Sequence, residues 1–316
     1  MPEMIAALDG GGTKTALALA DRRGNCHFLQ GLGGCNPQDN PDWAAVLAAA
    51  LGQITDRCHH PKHVVLGLSG FGEVPDHDAA MQAAVAANLP GPVTVLNDVA
   101  LAYHGAFAGT DGVLILAGTG SMAMAKGPVG LVRVGGWGDL IGDEGSAFWI
   151  GQRALRSVAR ALDGRGAEAD FAQALLAAMT LDPVADPFAP LNWLMSKAHP
   201  RSAVAGIARV VDRLAEQGDP VARAILTRAA GHLIWQAHAA ANKAGLPVGF
   251  DWCRAGSVFR SRTVEDAVAK GLGQPARVHR LDALGGGLWL AATAAGWRPD
   301  RGWTHRIGAA TRAWSA

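Results

Sequence analysis

The chain has 316 residues, of which 49% are apolar and 17% are charged, and its 28 basic and 27 acidic side chains leave a formal net charge of +1. This composition predicts a compact globular protein and excludes a largely disordered one. The near-neutral balance argues against nucleic acid or an anionic membrane surface as a partner, because no basic surface would attract phosphates.

The four cysteines form no C-x-x-C pair, and no cluster of cysteine and histidine has the spacing of a metal site. We therefore expect reduced thiols. No apolar run approaches the roughly 20 residues needed to cross a bilayer. The run MIAALD near the N-terminus predicts a strand and not a signal peptide, so we expect a cytoplasmic protein.

The first hundred residues predict three short strands followed by alternating helices and strands. A helix starting near Asn40-Pro41 has an apolar stripe at helical spacing, from Trp43 to Ile54. Apolar runs and turn signals place the strands at residues 5–9, 15–20, 26–30, 63–68 and 92–96, and two further helices at 76–89 and 99–108.

The same order then begins again. The predicted strands are 112–117, 121–126, 131–134, 248–254 and 277–281, with helices at 262–271 and 284–295 and a long helical insertion at about 171–244. Because both halves follow the order βββαβαβα, we predict an α/β fold made twice from one unit. The expected domains are 1–108 and 109–316, with the last helix able to pack back on the first domain.

The strongest local motif is Asp9-Gly10-Gly11-Gly12-Thr13-Lys14-Thr15, between the first two predicted strands. Three glycines let the backbone turn sharply and approach a ligand. Successive N–H groups in such a turn form an anion-binding concavity, and Thr13, Lys14 and Thr15 add donors. Asp9 is a candidate to hold Mg²⁺ through water. The simpler alternative is a glycine hairpin with solvated polar residues.

A second glycine turn, Gly118-Thr119-Gly120-Ser121, follows the first strand of the second half. It matches the loose dinucleotide-binding pattern, but Gly127, Pro128 and Gly130 exclude the helix that this pattern requires. The first turn is not a P-loop either, because Thr13 precedes Lys14 and a strand follows. Since each half has its glycine turn in the same place, we predict two related hairpins that grip the phosphates of one nucleotide.

At these residues the sequence resembles the actin-like ATPase superfamily, and within it the BadF/BadG/BcrA/BcrD-type ATPases, a group that includes N-acetylglucosamine kinases. The two glycine turns resemble its two phosphate motifs, and Ala255-Gly256-Ser257-Val258 resembles its adenosine motif. The stretch GGWGDLIGDEGSA, from Gly135 to Ala147, is similar to the signature of amino-sugar kinases. The resemblance spans nearly the whole chain and implies duplicated ribonuclease-H-like domains with an interdomain cleft.

The resemblance also implies roles for individual residues. Asp98 matches the catalytic aspartate, which takes the proton of a sugar hydroxyl as its oxygen attacks the γ-phosphate of ATP. From position alone, Asp98 is more simply a helix cap. The implied nucleotide contacts are Gly11, Gly12, Thr13, Lys14, Thr15, Gly118, Gly120, Ser121, Gly256 and Ser257. The implied sugar contacts are Asn36, Asp98, Thr119, Gly136, Trp137, Gly138 and Asp143.

Some of these roles have alternatives. Trp137 is also consistent with an ordinary core aromatic, and the sequence does not decide the role of Glu144. In eukaryotic relatives an aromatic residue closely follows the asparagine, whereas Pro37-Gln38-Asp39 stands here, which leaves recognition of an N-acetyl group open.

The expected reaction is transfer of phosphate from Mg-ATP to an amino sugar, with the 6-hydroxyl of N-acetylglucosamine or glucosamine as the expected acceptor. Relatives also imply a homodimer. The alternative is a nucleotide-switched binding protein, such as an activator of an acyl-CoA dehydratase that holds an iron–sulfur cluster. The contexts of Cys35 and Cys58 do not suit a cluster, and a pure switch has no use for a sugar-contacting loop.

Overall fold

The computed structural model describes residues 2–315. Its strands are β1 Met4–Gly10, β2 Lys14–Asp21, β3 Cys26–Phe28, β4 Leu32–Gly33, β5 Val64–Leu68, β6 Val93–Asn97, β7 Gly112–Ala117, β8 Ser121–Gly127, β9 Gly130–Gly135 and β10 Trp252–Ala255. Its helices are α1 Trp43–Arg57, α2 Pro75–Asn88, α3 Asp98–Phe107, α4 Ala147–Leu162, α5 Ala169–Ala178, α6 Ala189–Met195, α7 Pro200–Gly206, α8 Ala208–Glu216, α9 Pro220–Ala244, α10 Arg262–Leu272, α11 Ala283–Ala294 and α12 Arg301–Ser315.

The chain divides into two compact units. The first unit contains the residues up to Thr110 and those from Val278 onward, and the second unit is Asp111–Arg277. The first boundary lies close to the one expected at 108/109. The C-terminal segment from Val278 onward, which contains the last predicted helix, lies in the first unit.

The sheet of the first unit has the strand order β3-β2-β1-β5-β6, with β4 also paired to β2. β1 and β2 are antiparallel, whereas β1, β5 and β6 run parallel. Both faces of β1 are buried: Ala6 and Leu8 pack in a core with α1 and α2, and Ile5 and Ala7 in a core with α3 and α11. Because helices cover both faces of the sheet at β1, the sequence of this strand is a continuous apolar run and does not alternate.

Glycines explain why the C-terminal segment belongs to the first unit. A Cβ on Gly105 of α3 would overlap the carbonyl oxygen of Asp282, and one on Gly286 of α11 would overlap the backbone of Gly105. The two helices therefore approach at backbone distance. The strand predicted at 277–281 is wrong: the backbone there is irregular, because the chain leaves the second unit at Arg277 and enters the first at Val278.

The second unit has a smaller sheet of order β10-β7-β8-β9, in which β7, β8 and β9 are antiparallel and β10 is parallel to β7. Helices α4 to α9 lie between β9 and β10 in the chain and share one core with the sheet. The alanine-rich face of α9 packs there through Ala229, Ala237 and Ala240. Among the described residues, no helix combines the length and apolar character needed to cross a membrane.

Candidate active site

The first glycine turn connects β1 to β2. The Gly11 N–H donates to the Lys14 carbonyl at 2.9 Å, which closes the turn, while Thr13 and Lys14 are exposed. Thr15 is different: it is 2% exposed, and its hydroxyl donates to the Gly33 carbonyl at 2.7 Å. The Thr15 side chain is therefore engaged in a hydrogen bond to β4, whereas Thr13 and Lys14 are accessible to a ligand.

Two distant segments pack directly on this turn. The Cys35 N–H donates to the Gly11 carbonyl at 3.2 Å, and the Ser69 N–H donates to the Gly10 carbonyl at 2.8 Å. A Cβ on Gly34 would overlap the backbone of Gly12. These contacts place the segment that leads to Asn36, and the end of β5, beside the first turn.

Asn36 is 7% exposed and has two neighbouring partners. Its Nδ2 donates to Asp39 Oδ2 at 2.7 Å, and its Oδ1 accepts from the Gln38 N–H at 3.0 Å. Asp39 also lies against the turn, since a Cβ on Gly12 would be 2.9 Å from its Oδ2. Asp39 was not predicted as a site residue; it links Asn36 to the glycine turn and retains lone pairs for further donors.

Asp98 is the first residue of α3, directly after β6. The cap is the preceding residue, Asn97, whose side chain accepts from the Val99 N–H at 3.0 Å; Asp98 Oδ1 accepts from the same N–H at 2.9 Å. Burial raises the pKa of Asp98, the charge of Glu73 raises it further, and the bonds from Val99 and Ser69 oppose this rise. The Ser69 side chain is therefore close enough to Asp98 to favour its charged form, and the Ser69 N–H donates to the Gly10 carbonyl of the first turn.

Asp9 lies near the end of β1, beside two other carboxylates. Burial, with the charges of Asp98 and Asp282, raises the pKa of Asp9 from 3.8 to about 7, and Lys14 opposes the rise. Asp282 caps α11 by accepting from the Gly285 N–H at 2.8 Å. The sequence did not identify Asp282, because the packing of the C-terminal segment brings it here.

A cation would relieve this repulsion between carboxylates. Among residues 2–315, no group of three or more His, Cys, Asp or Glu side chains is arranged to hold a metal ion directly. Residues of this kind fit a hydrated Mg²⁺ bound through water, since that ion keeps several of its waters in proteins.

The second glycine turn connects β7 to β8 and packs against the predicted adenosine motif. The Gly118 N–H donates to the Gly120 carbonyl at 2.9 Å. Gly256 has φ = 95°, and a Cβ on it would overlap the Ala117 carbonyl oxygen and lie 2.8 Å from the Gly118 nitrogen. Only glycine fits both this φ and this approach. The two motifs, far apart in the sequence, therefore share one place in the second unit.

A cavity of about 380 Å³ opens beside this pair of motifs. Thr119 of the turn and Ser257 of the adenosine motif line it, together with Arg209 and Asp212 from α8. The Oδ1 of Asp212 is buried and has no hydrogen-bond partner among the described residues. The volume is that of an ordinary small-ligand pocket, and the helices after β9 supply the residues of this wall that the sequence did not identify.

The residues from Gly135 to Ser146, here called the glycine loop, are fastened to the second turn. The Gly136 N–H donates to the Ser121 carbonyl at 2.9 Å, and the Ser121 N–H donates to Asp143 Oδ1 at 3.2 Å. Ser121 is 2% exposed, and its hydroxyl donates to the Glu144 carbonyl at 2.8 Å. Glu144 thus contributes to the site through its backbone.

The predicted contacts within the glycine loop have different surroundings. Trp137 is 73% exposed, so it is not a core aromatic. Gly138 has φ = 81° and accepts at its carbonyl from the Gly142 N–H at 2.8 Å. Asp143 is only 3% exposed, and Arg201 of α7 donates to its second oxygen at 2.7 Å. Arg201 is a further residue that the sequence did not identify.

Known proteins resemble this chain over most of its length. It is 26% identical to an N-acetylmuramic acid/N-acetylglucosamine kinase of Clostridium acetobutylicum over 72% of this chain and 76% of the relative. It is 28% identical to an N-acetyl-D-glucosamine kinase of Dictyostelium discoideum over 77% of this chain and 81% of the relative.

The fold also has a close counterpart. The crystal structure of a proposed N-acetylglucosamine kinase from Chromobacterium violaceum matches with a TM-score of 0.69 and 25% identity, over 92% of this chain and 99% of the other. This match confirms the predicted α/β fold of the sugar kinases and actin-like ATPases. The sequence model of one family covers residues 8–281, which include both glycine turns, Asn36, Asp98 and the adenosine motif. The chain belongs to the BadF/BadG/BcrA/BcrD ATPase family.

Proposed function

We propose that this protein is an ATP-dependent sugar kinase that transfers the γ-phosphate of ATP to a hydroxyl of an amino sugar. One observation carries the proposal: in the first unit, the Cys35 and Ser69 N–H groups donate to the glycine turn, which brings it beside Asn36, the residue after Cys35, and beside Asp98, whose pKa responds to Ser69. An anion-binding turn, a polar side chain suited to hydroxyl groups and a candidate base are the parts that phosphoryl transfer to an alcohol needs.

The phosphates are the proposed ligands of the glycine turns. In the first unit, Gly11 and Gly12 give the backbone room for close approach, and Thr13 and Lys14 provide donors and a positive charge. In the second unit, Thr119 and Ser257 line the cavity of about 380 Å³, and the size of this cavity suits a nucleoside. Gly120 and Gly256 belong to the glycine turn and the adenosine motif beside it. Asp9 would hold Mg²⁺ through water, and that ion would neutralise charge on the phosphates.

Asp98 is the proposed general base. Its carboxylate accepts the hydroxyl proton of the sugar while the sugar oxygen forms a bond to the γ-phosphorus and the bond from that phosphorus to the oxygen of the ADP leaving group breaks. The raised pKa of Asp98 brings the carboxyl closer to the working pH, where a base transfers protons most effectively. General-base action of this kind contributes roughly 10²–10⁴-fold to the rate.

The acceptor is proposed to be N-acetylglucosamine or glucosamine, phosphorylated at the 6-hydroxyl. The names of the two relatives support an amino sugar. In the first unit, Asn36 and Asp39 offer the amide and carboxylate groups that sugar hydroxyls require. The second unit, taken by itself, offers backbone, aromatic and carboxylate groups at Gly136, Trp137, Gly138 and Asp143. The exposed face of Trp137 is free to cover the apolar face of a ring.

A panel of acceptors tests this function. Purified protein with Mg-ATP is assayed for ADP release with N-acetylglucosamine, glucosamine, N-acetylmuramic acid, N-acetylmannosamine and glucose. We expect ADP release that depends on the presence of an amino sugar. The kcat/KM values measured for the five acceptors then rank them as substrates. ADP release that no sugar changes would contradict the proposal and favour a nucleotide-switched binding protein.

A further inference from the structure

We propose that Arg201 is a positioning residue for the acceptor sugar: its guanidinium, presented by the helix α7, holds the glycine loop in its binding conformation. This inference rests on the proposed function, because it assigns a role to Arg201 in the binding of the same sugar. In the sequence, Arg201 lies 58 residues after Asp143, and its role follows only from its contacts in the structure.

Arg201 joins two carboxylates of the glycine loop. Its Nη2 lies 2.7 Å from Asp143 Oδ2, and its Nε lies 3.2 Å from Asp139 Oδ1. Two nitrogens of one planar guanidinium thus fix two points of the loop at once, a geometry that a lysine ammonium cannot reproduce. The Asp143 bond is the stronger of the two, because Asp143 is buried while Asp139 is partly exposed.

The glycine loop needs such a restraint. Gly135, Gly136, Gly138 and Gly145 all have positive φ, and glycine backbones have the most conformations available to them. Asp143 also lies in the left-handed region, at φ = 56°, which is uncommon for a residue other than glycine. Its carboxylate bonds to Ser121 and to Arg201 select this conformation from the alternatives.

The helix α7, which carries Arg201, is closely packed. α7 packs on α4 so closely that a Cβ on Gly151 would overlap the carbonyl oxygen of Val204. Ala147, the first residue of α4, donates its N–H to the Gly118 carbonyl at 2.8 Å. Arg201 is therefore presented from an element that is fixed, through α4, to the second glycine turn, and the position of the loop is set relative to that turn.

Kinetics of Arg201→Met test this role. Methionine keeps much of the apolar stem and removes the charge. We expect the sugar KM to rise about tenfold, the loss expected for one charge-assisted hydrogen bond in a partly exposed pair, with a smaller change in the ATP KM. Arg201→Lys should restore part of the sugar affinity, and Asp139→Asn should cause a smaller rise than Arg201→Met.

The matched control is Arg165→Met, which removes an exposed arginine paired with Asp163 in the same unit and should leave both KM values unchanged. Hydrogen exchange followed by mass spectrometry should show faster exchange in residues 135–146 of Arg201→Met than in the wild type. An unchanged sugar KM for Arg201→Met would overturn the inference, whatever the exchange shows. If Arg201→Met does not fold, the other two variants decide. The sugar KM should then be lowest for the wild type, higher for Asp139→Asn, and equally high or higher for Arg201→Lys.

The proposed function and this inference fail in different ways. A wild-type protein with no sugar-dependent ADP release contradicts the kinase assignment, whatever Arg201 does. A sugar-dependent wild type whose Arg201→Met and Arg201→Lys variants keep the wild-type sugar KM contradicts the inference alone.

Discussion

The two glycine turns each connect the first two strands of a hairpin in their own unit, and they have different electrostatic surroundings. Thr15 and Ser121 each follow their turn, each is 2% exposed, and each donates its hydroxyl to a backbone carbonyl of a neighbouring segment, that of Gly33 or Glu144. Around the first turn, however, three carboxylates interact and the pKa of Asp9 rises to about 7. Around the second turn, Arg201 neutralises the buried Asp143.

This difference separates chemistry from binding. Each unit has a hairpin turn that we propose as an anion-binding turn, and the residues around that turn decide its further use. Uncompensated carboxylates with raised pKa values are the mark of acid–base and metal chemistry. An ion-paired carboxylate in a glycine-rich loop is suited to binding and positioning. The first turn is thus proposed for catalysis, and the second for holding substrates.

The largest effect is expected at the first turn. Asp98→Asn removes the proposed base and should reduce sugar-dependent turnover about 10²–10⁴-fold, since the amide cannot take the hydroxyl proton. ATP binding, measured by calorimetry, should be nearly unchanged. The exposed Asp56→Asn, in the same unit, is the control and should turn over normally. Near-normal turnover by Asp98→Asn would reduce Asp98 to a structural residue at the start of α3.

Asp9 allows a test of stability against pH. The rise of its pKa from 3.8 to about 7 means that the folded state keeps a proton that the unfolded state loses, so its contribution to the free energy of unfolding is full below pH 3.8 and is lost as the pH rises through 7. The rise corresponds to roughly 4 kcal/mol. Asp9→Asn should therefore be more stable than the wild type at pH 8, and less active.

Urea unfolding of Asp9→Asn and wild type at pH 5.5 and pH 8, in the absence of Mg²⁺, measures this difference. The gain in stability should be larger at the higher pH. A gain that is equal at both values, or a loss at pH 8, would show that Asp9 carries no unfavourable charge. The exposed Asp56→Asn again serves as the control, with no change expected at either pH.

Alanine substitutions of one glycine in each turn separate effects on stability from effects on ligand binding. A Cβ on Gly10 would overlap Cys35 Sγ, whereas a Cβ on Gly118 would have no atom of the protein within 4 Å. Gly118→Ala should therefore keep the wild-type melting temperature and raise the ATP KM about tenfold, because the methyl group enters the space proposed for phosphate. Gly10→Ala should lower the melting temperature. Equal ATP KM values for wild type and Gly118→Ala would contradict phosphate binding at the second turn.

The smallest of these effects is expected at Asp143. Asp143→Ala removes an acceptor from the glycine loop and leaves Arg201 without its better partner, so the sugar KM should rise severalfold to about tenfold. The ATP KM should change less. Equal changes in both values would assign Asp143 to the stability of the second turn rather than to the sugar.

Glycine spacing is a local property, so the two turns could be predicted from the sequence. The roles of Asp98 and Gly256 came from the family resemblance, since the position of Asp98 after a strand alone predicts a helix cap. Asp282, Asp212 and Arg201 were missed, since long-range packing and not the local sequence brings them to the site. Asp39 was missed although it lies only three residues after Asn36.

Errors in the prediction of the fold from the sequence have similar causes. The strand predicted at 277–281 has suitable apolar residues, yet the chain crosses there from one compact unit to the other and pairs with no strand. α12 was not predicted; Trp303 and Ile307 are buried on one of its faces, four residues apart, and that spacing was the available signal. Its packing in the first unit is a long-range property that no local pattern reveals.

The identity of the phosphorylated product tests the central claim most directly. The product formed from ATP and N-acetylglucosamine is purified, and its phosphorus signal is recorded by NMR with proton coupling. The account predicts a phosphate ester split by the two protons of the sugar 6-carbon. Free phosphate as the sole product, with the sugar recovered unchanged, would contradict the assignment of this protein as a sugar kinase.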